Sequence, residues 1–240
     1  MYYHNPVLLK ECIDGLNIKP NGIYVDVTFG GGGHSTLILE LLDGGKLFAF
    51  DQDESSNDNN LDKTGFKLIN SNFRYIKKVL RMEGVQKIDG LLADLGVSSY
   101  HFDQSARGFS IRFEEELDMR MNKKSQLSAK EILNLYTEEE LTDIFYNYGE
   151  LSNSRKIANQ IVNSRKKTKL STTYDLIECI SHLTPYKKRN QFLARVFQSI
   201  RIEVNDEISA LKEMLNSAVD LLDIHGRLVV LSYHSVEDRI

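Results

Sequence analysis

The chain has no tryptophan, only two cysteines and only three prolines among its 240 residues. Cys12 and Cys179 are far apart in sequence and form no metal-binding or redox motif, which indicates a reducing cytoplasm. None of the apolar runs is long enough to cross a bilayer, and the first residues do not resemble a signal peptide. We therefore expect a cytoplasmic protein without membrane contact.

The chain also lacks an excess of positive charge, since its formal net charge is −4. Any contact with nucleic acid must therefore come from a local basic patch rather than from the field of the whole protein. The apolar content of 41% and the charged content of 27% are ordinary for a globular protein. At 240 residues the chain can bury a full core, as one large domain or as one domain with an insertion.

The most informative segment, residues 25–35, is an apolar run that ends in an acid and continues into four glycines. A strand that enters a glycine turn and then a helix is where α/β proteins hold nucleotide-like ligands. No lysine follows the glycines, which excludes a phosphate-binding P-loop, and neither register satisfies the dinucleotide fingerprint G-x-G-x-x-G. We expect a nucleoside-containing cofactor; the alternative is a glycine turn that binds nothing.

A third pattern fits these residues. Asp26-x-Thr28-x-Gly30-x-Gly32 resembles the first motif of class I S-adenosylmethionine-dependent methyltransferases, with Thr28 where glycine is usual. That loop accommodates an amino-acid and ribose moiety, so it needs a close backbone approach but no cationic clamp for phosphate.

Strands are predicted at residues 23–27, 47–50, 66–69 and 88–93, and a helix at residues 35–42. Acids stand at the ends of three of these strands, Asp26, Asp51 and Asp94. Each acid alone could be a helix cap or a solvated carboxylate. Three in succession predict a site at the carboxyl edge of one parallel sheet. Asp51 lies about twenty residues past the glycines, the spacing at which a carboxylate accepts hydrogen bonds from ribose hydroxyls.

The pattern becomes purely helical from residue 128 to about residue 190, with capping boxes that start at Ser128 and Thr137 and a further helix that starts at Thr172-x-x-Asp175. A helix at 208–222, ended by Gly226, and a fifth strand at 228–232 follow. The expected fold is an α/β class I (Rossmann-like) domain with a mainly parallel sheet, residues 1–106 and 204–240. An all-helical insertion domain for substrate recognition, residues 107–203, interrupts it. Class I sheets normally add a terminal hairpin after the fifth strand, so two alternatives are open: either a tail beyond Ile240 supplies it, or the protein lacks these C-terminal strands.

Motifs along nearly the whole chain resemble the ribosomal RNA small subunit methyltransferase H family. They are His4-x-Pro6-Val7-Leu8-Leu9-x-Glu11, Asp26-x-Thr28-Phe29-Gly30-x-Gly32-Gly33-His34-Ser35, Asp51-Gln52-Asp53, Asp94-Leu95-Gly96-Val97-Ser98-Ser99, Arg107-Gly108-Phe109-Ser110, Leu117-Asp118-Met119-Arg120-Met121, Phe197-Gln198-x-x-Arg201-Ile202-x-Val204-Asn205-x-Glu207 and His234-Ser235-x-Glu237-Asp238-Arg239-Ile240. The resemblance implies methylation of the exocyclic N4 of a cytidine in the decoding region of bacterial small-subunit (16S) rRNA.

The resemblance also implies a set of contacts with S-adenosyl-L-methionine. Gly30 belongs to the glycine motif, and Gly32, Gly33 and His34 would line the amino-acid end of the cofactor. Asp51 would accept the ribose hydroxyls, and Phe73 would pack beside the adenine. Asp94 would lie near the sulfonium and the target amine. His101 occupies a cofactor-binding position that is usually glutamine in the family.

The chemistry of the residues supports an amine target independently of the resemblance. Methylation at cytosine C5 needs a cysteine nucleophile, and both cysteines lie in predicted helices away from the sheet edge. An exocyclic amine must instead be oriented and must donate hydrogen bonds as it becomes tetrahedral, a task that suits Asp94. Known amino-methyltransferases often carry Pro-Pro-aromatic after this acid, whereas this chain has Leu95-Gly96-Val97, so the pocket wall must differ.

Further residues are candidates for binding the substrate. Tyr100, Phe102 and Phe109 could stack on an unstacked base or pack in a core. Arg120 could instead be structural beside Asp118, and basic residues near 165–169, 187–189, Arg195 and Arg201 could contact phosphates or lie on a solvated helix face. For 234–239 we prefer a substrate-side loop with a Ser235 cap to a metal site. The full set is Ser98, Ser99, Tyr100, Arg107, Phe109, Arg120, Arg195, Arg201, His234 and Ser235.

Two alternative functions remain open at this point. One is a methyltransferase that acts on another RNA, a protein or a small molecule, and the other is a nicotinamide-dependent oxidoreductase. The motifs outside the glycine loop disfavour the first, and the glycine spacing disfavours the second. The expected partner is the small ribosomal subunit or its 16S rRNA, with no DNA, and the protein is expected to be a monomer or a homodimer.

Overall fold

The computed structural model describes residues 6–96 and 107–240. The chain forms two compact units, the first made of Met1–Tyr100 and Ile208–Ile240 and the second of His101–Glu207. The predicted division into residues 1–106 with 204–240 and residues 107–203 stays a prediction.

Five parallel strands form the sheet of the first unit, in the order β3-β2-β1-β4-β5. They are β1 (Ile23–Asp26), β2 (Lys46–Asp51), β3 (Phe66–Asn70), β4 (Ile88–Asp94) and β5 (Leu222–Leu231). This result confirms the predicted mainly parallel α/β sheet. The strand order reverses between β1 and β4, which is the point where open α/β sheets leave a crevice for ligands.

Ten helices are described along the chain. They are α1 (Leu9–Leu16), α2 (Gly33–Leu41), α3 (Ile76–Met82), α4 (Ala129–Leu135), α5 (Glu138–Asn147), α6 (Ser154–Arg165), α7 (Thr173–Ile180), α8 (Arg189–Asn205), α9 (Glu207–Leu221) and α10 (Ser235–Asp238). Short 3-10 segments lie at Glu54–Asn59, Phe73–Tyr75, Ser181–Leu183 and Tyr186–Lys188.

Alternate side chains of the strands supply two hydrophobic cores, one on each face of the sheet. Val25 and Leu91 pack on one face with residues of α3 and α9. Tyr24 and Leu92 pack on the other face with residues of α1 and α2. The inner strands β1, β2 and β4 are mostly buried and read as nearly continuous apolar runs with charged residues near their ends. The edge strands β3 and β5 are more exposed and carry charged residues within them, such as Lys67 and Arg227.

The transition from α9 to β5 differs from the prediction. Gly226 does not end the helix: α9 stops at Leu221, and Gly226 lies within β5. A lysine distant in sequence provides the C-terminal cap, since Lys87 Nζ donates to the carbonyl oxygens of Asp220 and Leu222, both at 3.0 Å. The strand then bulges opposite β4, with His225 at φ 67°, before regular pairing resumes at Arg227.

The described residues of the second unit are organised by helices α4 to α8, with one isolated antiparallel bridge between Glu116 and Thr172. The capping boxes predicted from sequence are confirmed at Ser128 and Thr137, and the helix predicted to start at Thr172 also begins with a capping box. Since residues 101–106 lie outside the description, the all-helical character of this unit stays a prediction.

Candidate active site

Three acids lie at the carboxyl ends of neighbouring strands, as predicted. Asp26 is the last residue of β1, Asp51 of β2 and Asp94 of β4. Parallel pairing of β1 with both β2 and β4 brings the three strand ends to one edge of the sheet. The glycine run follows β1 directly, so it lies between the other two acids in the strand order.

Asp26 is a buried acid that organises the turn around itself. Asp26 as a residue is only 1% exposed. Its carboxylate accepts hydrogen bonds from Ser35 Oγ at 2.7 Å and from the Thr28 N–H at 3.0 Å. Burial raises the pKa of Asp26, and the hydrogen bonds from Ser35 and Thr28 oppose that rise. Asp26 therefore fixes the start of α2 relative to β1 and is not open to a ligand.

Thr28 explains a departure from the methyltransferase motif, in which glycine is usual at this position. Its Oγ1 accepts a hydrogen bond from the N–H of Asp94 at 2.7 Å. A glycine could not make this bond because it has no side chain. Thr28 thus connects the loop that follows β1 to the end of β4, and this bond fixes the backbone of Asp94.

The glycine loop turns sharply and leads into α2, which begins at Gly33 rather than at the predicted residue 35. Gly32 has φ 75°, a conformation that strains other residues, and a Cβ on Gly33 would lie 2.3 Å from Pro6 Cγ. A Cβ on Gly31, in contrast, would meet nothing within 4 Å. Gly32 and Gly33 are thus required by the packing of the protein itself, whereas Gly31 faces open space.

Asp51 connects the loop to the end of β2. Its Oδ2 accepts a hydrogen bond from the Gly30 N–H and its Oδ1 accepts one from the Asp53 N–H, both at 2.8 Å. Asp51 is partly exposed at this edge of the sheet. Phe73 begins a 3-10 turn after β3, and its partly buried ring packs against the core.

His34 lies in the first turn of α2 and is 6% exposed. Its Nε2 lies 3.1 Å from the Val7 carbonyl oxygen, which can only accept, so this nitrogen carries the hydrogen. Nδ1 lies 3.9 Å from Asp94 Oδ2, beyond hydrogen-bond distance. His34 therefore ties the segment before α1 to the loop and presents its second nitrogen to Asp94.

The structure adds Tyr233 to the residues at this edge, a residue that sequence reasoning missed. Its hydroxyl donates a hydrogen bond to Asp94 Oδ1 at 2.6 Å. No motif signalled this contact, because it joins residues 139 positions apart and depends on β5 lying beside β4.

Five predicted site residues, Ser98, Ser99, Tyr100, His101 and Phe102, lie outside the described residues. Their predicted roles stay predictions.

The predicted substrate residues of the second unit have intramolecular partners or an exposed position. Arg107 donates to the carbonyl oxygens of Arg120 and Met121 and lies 5.4 Å from the centre of the Phe109 ring, which is itself buried. Arg120 forms a two-pronged ion pair with Asp118, at 2.6 and 3.0 Å, as its alternative structural interpretation predicted.

On α8, the two predicted arginines differ. Arg201 Nε and Nη2 bind the carboxylate of Glu207 at 2.8 and 2.9 Å, with both side chains mostly buried. Arg195 is exposed, so of these two arginines it is the one that a phosphate group can reach.

At the end of the chain, the prediction that Ser235 caps a helix is wrong. Ser235 is the first residue of α10, and the N-cap residue is His234, which makes no side-chain cap bond. Glu237 Oε2 accepts the N–H of Tyr233, the residue before the N-cap, at 2.9 Å. His234 Nε2 lies 3.3 Å from Glu237 Oε1, so both side chains are part of this local turn.

Both cysteines lie within helices, Cys12 in α1 and Cys179 in α7, and both are buried. Burial, reinforced by Asp94 and other acids, raises the pKa of the Cys12 thiol to about 11, so it is not a thiolate at neutral pH. Within residues 6–96 and 107–240 no three His, Cys, Asp or Glu side chains are arranged to hold a metal ion. No helix in these ranges is long and apolar enough to span a membrane.

The topology and the glycine loop define a class I methyltransferase fold, and comparison with known proteins identifies the family. The model of the MraW methylase family matches residues 1–240, so the chain belongs to this family. That membership contradicts the alternative of a nicotinamide-dependent oxidoreductase.

Relatives named ribosomal RNA small subunit methyltransferase H align with almost the whole length of this chain. The one from Bacteroides fragilis is 54% identical over 99% of this chain and 79% of its own length. The one from Flavobacterium johnsoniae is 53% identical over 100% of this chain and 80% of its own length. A solved rRNA methylase structure from Streptococcus thermophilus is 22% identical over 40% of this chain and 57% of that chain, with a TM-score of 0.30.

Proposed function

We propose that the protein transfers a methyl group from S-adenosylmethionine to the exocyclic N4 of a cytidine in the decoding region of bacterial 16S rRNA. Its membership of a methylase family and the names of its relatives support the methyl transfer and the ribosomal RNA substrate. The observation that carries the proposal is the position of Asp94, a partly exposed carboxylate one strand away from the glycine loop.

The residues of the loop fit S-adenosylmethionine. Gly31 faces open space, which the Cβ of any other residue would begin to fill. The N-cap residue of α2 is Gly32, which has no side chain that could bind the amides of the first turn. The amides of that turn would suit the carboxylate of the methionine moiety, since a helix N-terminus attracts anions. Asp51 would accept the ribose hydroxyls. S-adenosylmethionine, when bound, supplies an electrophilic methyl group on a sulfonium.

The nucleophile is supplied by the substrate rather than by the protein. Attack at a ring carbon would need a thiolate, and the thiols of Cys12 and Cys179 are buried in helices with raised pKa values. An exocyclic amine needs no protein nucleophile. It needs an acceptor that orients it and takes up its developing positive charge, which a carboxylate provides.

Asp94 is the residue proposed for this task. As the N–C bond forms and the C–S bond breaks, the nitrogen must lose one proton to remain neutral in the product. Asp94 Oδ2 would accept the N4–H hydrogen bond and then this proton, which passes to solvent. The Asp94 backbone is held by Thr28, and its Oδ1 is held by Tyr233, so the carboxylate is preorganised before substrate binds.

The test is methyl transfer to small ribosomal subunits that lack the modification, followed by nucleoside mass spectrometry. N4-methylcytidine at one site is the expected product. A different methylated nucleoside, or methylation of the protein fraction, would overturn the substrate assignment. A ribosomal substrate would also place the protein in the bacterial cytoplasm. We propose that the protein acts there as a monomer or a homodimer.

Asp51→Asn tests the cofactor site. Replacing one carboxylate oxygen by an amide should weaken S-adenosylmethionine binding by about 10-fold or more, the effect of losing one or more charge-assisted hydrogen bonds. Isothermal titration calorimetry measures the change in Kd. Glu40→Gln, at an exposed position of α2, is the matched control and should bind as tightly as wild type. An unchanged Kd in Asp51→Asn would remove Asp51 from the cofactor site.

A further inference from the structure

Tyr233 and Asp94 form a hydrogen-bonded pair across two neighbouring strand ends. The phenol oxygen lies 2.6 Å from Asp94 Oδ1, and a carboxylate can only accept, so Tyr233 is the donor. Burial, followed by the hydrogen bond and the charge of Asp94, raises the pKa of Tyr233 well above its usual range. The hydroxyl therefore keeps its proton, and remains a donor, throughout the physiological pH range.

The backbone around Tyr233 is fixed on both sides. The Leu95 N–H donates to the Leu231 carbonyl oxygen at 3.1 Å, which extends the pairing of β4 and β5 past Asp94. The Tyr233 N–H donates to Glu237 Oε2 at 2.9 Å. These bonds hold the backbone on both sides of Tyr233, through the end of β5 and through α10, and so place the phenol beside Asp94.

The two oxygens of Asp94 are consequently not equivalent. Tyr233 takes Oδ1, whereas the neighbour given by the structure for Oδ2 is His34 Nδ1 at 3.9 Å, which is too distant for a hydrogen bond. The Asp94 side chain is 25% exposed, so Oδ2 can accept from a group that enters the site. A single donor on one oxygen fixes the rotation of the carboxylate and selects the other oxygen for the substrate.

We propose that Tyr233 is a positioning residue that holds Asp94 through Oδ1 and directs Oδ2 at the target amine. The ring of Tyr233 also shapes the site. Tyr233 is about half exposed, and its ring lies 3.8 Å from the position that a Cβ on Gly96 would occupy. The ring thus forms one side of the space above the end of β4. The assignment rests on the proposed function, in which Asp94 receives the amine.

Tyr233→Phe removes the hydroxyl and keeps the ring. We expect kcat for methylation of small subunits to fall about 10-fold, the effect of about 1.4 kcal/mol, while the KM for subunits and the Kd for S-adenosylmethionine stay within twofold of wild type. Tyr75→Phe is the matched control, since Tyr75 is also about half exposed and belongs to the same unit. It should leave kcat unchanged.

A double-mutant cycle separates positioning from a general structural effect. If Tyr233 acts through Asp94, then Tyr233→Phe should have no further effect on single-turnover rates in the Asp94→Asn background. Additive losses, or a kcat of Tyr233→Phe within twofold of wild type, would overturn the proposal. A lowered melting temperature together with a raised KM would also overturn it, because these would indicate a structural role.

An ultraviolet titration tests the pair without any methylation assay. The difference between wild type and Tyr233→Phe reports the ionisation of Tyr233, and Asp94→Asn should shift that ionisation to lower pH. An unshifted titration would overturn the pairing. If subunits carry a different methylated nucleoside but Tyr233→Phe still lowers kcat, the substrate assignment fails while the role of Tyr233 stands.

Discussion

At the scale of single residues, Asp26 shows how a charged group can serve the architecture of a site. Its carboxylate is buried and accepts one hydrogen bond from Thr28 in the turn after β1 and one from Ser35 at the start of α2. Burial disfavours the charged form, so the folded protein holds the Asp26 proton to a higher pH than the unfolded chain does. The folded state is then favoured at low pH by this residue, and the advantage is lost as pH rises through the folded pKa.

Asp26→Asn should remove this pH dependence. The amide oxygen can still accept from the Thr28 N–H, and the amide nitrogen can donate to Ser35 Oγ, so the turn should persist. We expect the free energy of unfolding of wild type, relative to Asp26→Asn, to decrease as pH rises from about 4 towards 7. Urea denaturation at several pH values measures it.

The exposed Asp14 of α1 supplies a control for this series, because Asp14→Asn changes the same type of group at the surface. Its effect on stability should vary little with pH. If the difference between wild type and Asp26→Asn were the same at every pH, the raised pKa of Asp26 would be refuted.

At the scale of elements, the start of α7 concentrates several donors on one carboxylate. Asp175 Oδ2 accepts the N–H groups of Ser171 and Thr172, both at 2.8 Å, while Thr172 Oγ1 accepts the Asp175 N–H at 3.1 Å. Burial alone would raise the pKa of Asp175, but these hydrogen bonds outweigh it and lower the pKa below its ordinary range.

Asp175→Asn should therefore destabilise the protein at pH 7 by about 1–2 kcal/mol, the usual effect of a lost cap with charge-assisted bonds. A carboxylate with a lowered folded pKa stabilises above its unfolded pKa of about 3.9, and this contribution disappears as pH falls through the folded pKa. The loss in Asp175→Asn should accordingly shrink below pH 4.

Denaturant unfolding at pH 7 and at pH 3 checks both parts of this prediction. Glu178→Gln, at an exposed position of the same helix, is the control and should stay within about 0.5 kcal/mol of wild type. A loss for Asp175→Asn that is equally large at pH 3 would contradict the assigned direction of the pKa.

Elements with local signals were predicted well from sequence. The caps at Thr137 and Thr172 depend on residues three positions apart, and the acids at the strand ends follow directly after apolar runs. Gly226 was misread because the real stop for α9 is Lys87, which is distant in sequence. Ser235 was misread because α10 begins at Ser235 itself, which makes His234 the N-cap residue.

The same distinction applies to the candidate site. Asp51 and Asp94 could be found from their spacing, whereas the contacts that orient them could not. The bond from the Asp94 N–H to Thr28 and the bond from Tyr233 to Asp94 exist only after β1, β4 and β5 have assembled in order. Thr28 did carry a signal, since it departs from the usual glycine, but the sequence did not indicate its partner.

At the scale of the whole molecule, each of the two compact units carries its own buried residues. The glycine loop, which we propose binds the cofactor, belongs entirely to the first unit. A ligand that binds one folded unit stabilises that unit by about 2.7 kcal/mol at a concentration 100 times its Kd. We predict that S-adenosylhomocysteine at this concentration slows exchange of the most protected amides of β1 and β4 by about 100-fold.

Hydrogen exchange followed by mass spectrometry checks this prediction. Amides in α6 and α8 of the second unit are the internal comparison, and their exchange should change by less than about threefold. An equal slowing in both units would show that they unfold together, contrary to the prediction.

The Thr28 bond to Asp94 has a consequence for attempts to redesign the protein. One hydroxyl joins the loop proposed for the methyl donor to the acid proposed for the acceptor. Variants selected for a bulkier donor analogue will alter the loop, and through this joint they will also move the acid. Donor and acceptor preferences are therefore not separable traits in this scaffold, and libraries should vary position 28 together with its neighbours at the end of β4.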